Sequence, residues 1–149
     1  MNNKIIIING PNLNLLGERE QSQYGSINFN QLKENCIKKS KELGLDVEFS
    51  QSNIEGELVN IIQESRKKFD GIIINAAAFT HTSVAIRDAL DLFKKPIIEL
   101  HLSNIYKREE FRHKSLISGV VTGGIFGLGA EGYILAIISL QKTLHNENR

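Results

Sequence analysis

Four short runs rich in Ile or Val constrain this chain more than any other feature. They are KIIIING at 4–10, GIIINAA at 71–77, PIIELHL at 96–102 and SGVVTGG at 118–124. Each is bounded by Gly, Pro or Asn and opens as a continuous apolar block. A strand with one face in water alternates apolar and polar residues. A strand covered on both faces does not, so such runs belong in a parallel sheet. A fifth run, LDVEFSQS at 45–52, alternates more and reads as an edge strand. Helical patterns fill the intervals. The segment 28–44 has Asn28 as N-cap, Gln31 as its capping-box partner and Gly44 as its stop. The segment 55–69 sets Leu58, Ile61 and Ile62 on one face and gathers its basic residues in the last turn. Segments 83–95 and 132–145 complete the set. This alternation predicts an α/β, doubly wound, flavodoxin-like domain. Its five-stranded parallel sheet has the order 2-1-3-4-5, with helices on both faces. Residues 11–27 and 103–117 fit no element, and long loops in compact domains tend to be functional.

The chain has 149 residues, a length that suits one domain. Its 18 basic and 17 acidic residues are intermixed and leave a net charge of +1, which argues against a nucleic-acid or membrane partner. Cys36 is the single cysteine, so there is no internal disulfide and no cysteine-based metal cluster. The apolar run at the N-terminus is too short for a signal peptide and no span approaches a transmembrane helix, which predicts a cytoplasmic protein.

The run IIELHLSN at 97–104 departs from a plain core strand. Glu99, His101 and Ser103 fall at every second position, so they share one face, while Leu100 and Leu102 share the other. A buried charge needs a partner, so the row is a satisfied structural network or a site. In a doubly wound sheet, ligands bind beyond the carboxyl ends of the strands where strand order reverses. Strand one delivers Asn9 there, strand three Asn75, and strand four the Glu99 row. Singly, each has an ordinary structural explanation; together at one edge they mark a pocket. His81, after the third strand, reads as readily as a surface residue as a binding one, and His113 and His145 read as solvated. In GEREQSQYG, Gly17 and Gly25 bracket Arg19 and Tyr24, a pattern suited to a hinged lid at about 17–25. A guanidinium beside a phenol favours phenolate, although a tyrosine packing on its own loop explains the residue type equally well. The glycine pattern GLGAEG at 127–132 follows the last strand, so no later strand can carry the acidic residue of a dinucleotide site. Glu99 and His101 share a face but lack a third metal ligand at clear spacing. A glutamate fixing the tautomer of a histidine explains the pair better.

These residues resemble a known family, the type II 3-dehydroquinate dehydratases. The matching blocks are NGPNLNLLGERE and YG within 9–25, INAAAFTHTS at 74–83, IIELHLSNIYKREEFRHKS at 97–115 and GVVTGGIFGLGAEGY at 119–133. The resemblance covers essentially the whole chain as one catalytic domain. It implies a lyase of the shikimate pathway that dehydrates 3-dehydroquinate to 3-dehydroshikimate without cofactor or metal. By the same resemblance Tyr24 is the base, Arg19 holds it as phenolate, and Asn12 positions a water against the enolate oxygen. His101 is the acid, oriented by Glu99. Asn75, His81, Ser103, the backbone around Leu102, Arg108 and Arg112 bind substrate. A homododecamer built as a tetramer of trimers is also implied, with Asp88 reaching a neighbouring subunit's site. The chain departs from the family at Gln21, where proline is usual, and at Ala76, Ala77 and Phe79, where proline, glycine and tyrosine are usual. Two rival readings are a non-catalytic module binding phosphate or nucleotide at the same edge and a metal-dependent lyase using Glu99 and His101.

Overall fold

The isoleucine runs form strands that are covered on both sides. The computed structural model describes residues 2–18 and 26–147. Strands β1 (Lys4–Asn9), β2 (Asp46–Gln51), β3 (Gly71–Asn75), β4 (Ile97–His101) and β5 (Gly123–Phe126) pair in parallel in the order β2-β1-β3-β4-β5. This is the expected doubly wound order. Helices α1 (Phe29–Glu42), α2 (Glu55–Lys68), α3 (Val84–Asp91) and α4 (Glu131–Glu147) connect and cover the strands. Consecutive isoleucines divide between two cores. Ile5, Ile7 and Ile73 pack under α1 and α4, against Leu32, Cys36 and Ile137. Ile6, Ile8, Ile72 and Ile74 pack under α2 and α3, against Leu58 and Ile86. The period-2 geometry of a strand requires that division.

The helix signals hold locally. Asn28 accepts from the Gln31 amide and Gln31 accepts from the Asn28 amide, both at 2.9 Å, closing the capping box. Gly44 takes φ +73°, as the residue after a helix often does. Strand β2 lies at one edge and is only partly buried.

Two elements differ from expectation. The fifth strand is Gly123–Phe126 rather than 118–124, because Ser118–Val120 turn as a short 3-10 segment before it. Pairing with β4 starts once Thr122 has bonded Ile97 through both its amide and its hydroxyl. The glycines then lie flush on β4, and a Cβ on Gly124 would stand 3.4 Å from the Glu99 carbonyl oxygen. Glycine is a poor strand former in general, so the valines drew the sequence reading too early. Helix α3 stops at Asp91, short of residue 95, and Lys94 beyond it takes φ 59°.

The carboxyl ends of β1 and β3 meet at close quarters. Gly10 donates to the Asn75 carbonyl at 2.8 Å, and a Cβ on Gly10 would stand 2.4 Å from the Ala76 carbonyl oxygen. Just beyond, Asn12 (φ 70°) and Ala77 (φ 52°) both hold left-handed backbone. Asn12 has its amide bonded to Asn53 Oδ1 at 3.0 Å, and Ala77 has its amide bonded to Asn75 Oδ1 at 3.2 Å. An alanine in this region costs energy that glycine does not.

Two substitutions test this junction. Gly10→Ala is expected to lower unfolding free energy by about 3 kcal/mol or more, since backbone must move to admit the methyl. A loss below about 1 kcal/mol by urea denaturation would show that the strand ends separate easily. Ala77→Gly is expected to raise stability by about 1 kcal/mol through relief of the left-handed alanine; no gain would place the strain elsewhere.

Candidate active site

The cleft opens where strand order reverses, above the ends of β1, β3 and β4. It is lined by Asn12, Asn75, His81, His101, Leu102, Ser103, Arg108 and Arg112, with Leu13, Ala77 and Ile105 among the apolar residues. Residues from the ends of β3 and β4, from the loop after β1 and from the 103–117 loop are therefore brought together, whereas Asn9 is buried on Tyr133 and Glu99 is buried on His101, and neither lines the cleft. Asp88 is exposed on α3 and does not line this cleft. Arg19 and Tyr24, with most of the expected lid including Gln21, lie outside the described residues.

Glu99 and His101 alternate with Leu100 and Leu102, and both leucines turn into the core under α1 and α4. Glu99 is 5% exposed and His101 8%. The carboxylate is fully engaged. His101 Nε2–H donates to Oε2 at 2.6 Å, Ser115 Oγ donates to the same oxygen at 2.8 Å, and Ser118 Oγ donates to Oε1. Burial pushes the Glu99 carboxyl up. The bonds from His101 and Ser118, the His101 charge and the Ser115 bond together reverse this and hold it below its ordinary range. Sharing Nε2 with a carboxylate fixes the imidazole in one orientation and leaves Nδ1 as the nitrogen for proton exchange.

His81 stacks on His101, with ring centroids 6.3 Å apart and planes at 22°. Its Nδ1 lies 2.8 Å from the Lys114 carbonyl, which can only accept, so Nδ1 carries the proton. Burial is the main cause that lowers the His81 pKa, aided by the His101 and Arg112 charges and opposed by the Lys114 bond. Neutral His81 therefore keeps Nε2 as an acceptor. Arg108 Nη1 reaches Ser103 Oγ at 3.5 Å, and Arg112 is held by Glu109 at 3.0 Å. Two guanidinium groups on one wall suit an anionic ligand.

The glycine pattern at 127–132 works here as a fastening. Gly127 (φ 84°) and Gly129 (φ 63°) donate to the His101 and Leu102 carbonyls at 3.2 and 2.9 Å. The turn thus ties the end of β4 to the start of α4. Among the described residues, no cluster of three or more His, Cys, Asp or Glu stands where it could hold a metal ion.

Sequence reading missed the partners behind these groups. Ser115 and Ser118 carry no signal, because only folding brings them to Glu99. Tyr133 reads as one more apolar helix residue, yet its buried hydroxyl bonds both Asn9 and Asn75.

The Glu99 charge has a pH signature. Its pKa is lower in the folded chain than in the unfolded chain, so its stabilisation is fully present above the ordinary value of 4.5. It is lost as pH falls through the lower folded value. Thermal stability of the native protein should therefore fall more steeply below that point than stability of Glu99→Gln. Parallel curves for the two would mean that the folded carboxyl is not anionic.

The family model described as class II dehydroquinase matches residues 3–141. A 3-dehydroquinate dehydratase of Clostridium perfringens is 52% identical over 97% of this chain and 99% of its own length. Another, of Endomicrobium trichonymphae, is 53% identical over 90% of this chain and 94% of its own. The crystal structure of a type II dehydroquinase from Propionibacterium acnes superposes with a TM-score of 0.92 at 44% identity, covering 95% of this chain and 98% of that one. With this cleft at the carboxyl edge of a 2-1-3-4-5 sheet and relatives matched along nearly their whole length, the chain belongs to the class II dehydroquinase family.

Proposed function

We propose that this chain, as a single catalytic domain over residues 1–149, dehydrates 3-dehydroquinate to 3-dehydroshikimate as a cofactor-independent hydro-lyase. The observation that carries the reading is the buried Glu99–His101 pair beside a cleft that also holds Arg108 and Arg112. Relatives named 3-dehydroquinate dehydratase support the choice of substrate.

Dehydrating a β-hydroxy ketone requires a base at the carbon next to the ketone, an acid at the departing hydroxyl, and support for the enolate between them. Tyr24 as phenolate removes the proton, with Arg19 favouring the ionised form. Asn12 holds a water against the enolate oxygen. Protonated His101 then gives its proton to the leaving hydroxyl, which departs as water as the enolate collapses to the conjugated enone. Glu99 orients the ring and stabilises the imidazolium before that transfer, as a buried carboxylate beside histidine does. Asn75, His81, Ser103, the backbone at Leu102, Arg108 and Arg112 bind the carboxylate and hydroxyls of the substrate. Asp88 serves the site of a neighbouring subunit within a homododecamer built as a tetramer of trimers. The reaction belongs to the shikimate pathway and takes place in the cytoplasm.

The test is the absorbance of the conjugated enone formed from 3-dehydroquinate with excess EDTA. The native protein should turn over unaffected by chelator. Tyr24→Phe and His101→Ala should each lose about 100- to 10,000-fold in kcat. Turnover that survives Tyr24→Phe would remove the assigned base, and inhibition by EDTA would favour a metal-dependent lyase. An inactive, folded protein stabilised by nucleotide or FMN would leave a binding module instead.

A further inference from the structure

Four hydrogen bonds run in series beneath the cleft. Ala77 N–H donates to Asn75 Oδ1 at 3.2 Å, Asn75 Nδ2 donates to Tyr133 Oη at 3.0 Å, Tyr133 Oη donates to Asn9 Oδ1 at 2.6 Å, and Asn9 Nδ2 donates to the Ser50 carbonyl at 2.9 Å. The chain crosses from the loop after β3 through α4 to β1 and β2. A side-chain amide alone can be turned either way round, and a hydroxyl can donate in either direction. Here both ends are backbone. The Ala77 amide can only donate and the Ser50 carbonyl can only accept, so every link between them has one possible polarity.

We propose that Tyr133, which does not line the cleft, is a positioning residue whose hydroxyl locks the Asn75 amide so that its NH2, not its carbonyl, faces the substrate. Asn75 is 3% exposed and lines the cleft, and one Nδ2 hydrogen remains after the bond to Tyr133. It therefore offers a donor to the ligand and selects an oxygen acceptor, such as a carboxylate or carbonyl, over a group that must donate. Without the Tyr133 hydroxyl, only the weaker Ala77 bond opposes an amide flip, which would present an oxygen to an anionic substrate. Tyr133 is fully buried, and burial holds its hydroxyl well above its ordinary pKa, so the link keeps its proton. Gly132 lets the start of α4 lie close on β4, since a Cβ there would stand 3.0 Å from Leu100 Cδ1.

This inference rests on the dehydratase reading, and its test separates the two. Tyr133→Phe keeps the ring and removes the hydroxyl. Its KM for 3-dehydroquinate should rise roughly tenfold with a much smaller change in kcat, because a binding contact is misaligned and the acid–base groups are not. In an Asn75→Ala background the same change should leave KM where Asn75→Ala alone puts it. Tyr133→Phe with a lowered melting temperature and an unchanged KM would overturn the inference, as would KM effects that multiply in the double variant. Asn9→Ala breaks the chain one link further from the cleft. If Tyr133→Phe does not fold, an unchanged KM in Asn9→Ala overturns the inference by itself, and a raised one supports it. An inactive native protein would defeat the dehydratase reading alone. In that case hydrogen exchange of the Asn75 side-chain amide decides: faster exchange in Tyr133→Phe supports the lock, and equal exchange overturns it.

Discussion

Glu99 carries a carboxylate on a strand in which every residue is buried. A charge in that position persists only if its lone pairs are taken up, because desolvation alone would drive it to the neutral acid. His101 from the same strand and Ser115 and Ser118 from the following loop supply the donors. Much of the local architecture follows. The loop after β4 must return to bring its two serines against the carboxylate, and its first half then passes over the cleft with Arg108 and Arg112. The turn at Ser118–Val120 delays β5 until Gly123. One buried charge thus organises the carboxylate–imidazole pair, the cationic wall and the last strand.

The opposite wall is held by backbone rather than by charge. Gly10 and Ala76 touch, and Asn12 and Ala77 sit in left-handed conformations supported by side-chain acceptors from elsewhere in the chain. Strain of this kind persists only where surroundings over-determine it, and it tends to gather at functional sites. Asn53, itself bonded to Gln51, fixes Asn12. Asn75 fixes Ala77 and is in turn fixed through Tyr133. The polar groups of the cleft therefore stand on rigid supports before any ligand arrives, and preorganisation lowers what binding must spend on ordering.

Legibility in the sequence followed the range of each interaction. Four of the five strand runs, the capping box at Asn28 and the stop at Gly44 are local patterns and appear where the residues placed them. The sheet order followed from alternation of strand and helix, and from it the edge where Asn75, Glu99 and His101 converge. Their alternation with Leu100 and Leu102 already assigned the two faces of β4. The strand β5 starts later than its valines suggest, because the position of pairing is decided by the bonds of Thr122, just before β5, to Ile97 on the neighbouring strand β4.

The sequence by itself determined four of the five strands, the alternation of strand and helix with its doubly wound order, and the kinds of side chain at the switch point, because each depends on periodicity and short spacing. Only the tertiary structure decided which hydroxyls neutralise Glu99, that a glycine turn fastens the end of β4, and that Tyr133 sets the polarity of Asn75. Those contacts join residues from 16 to 124 positions apart. Hydrogen-bond direction is a property of the closed chain of donors and acceptors, and no single residue in the sequence carries it.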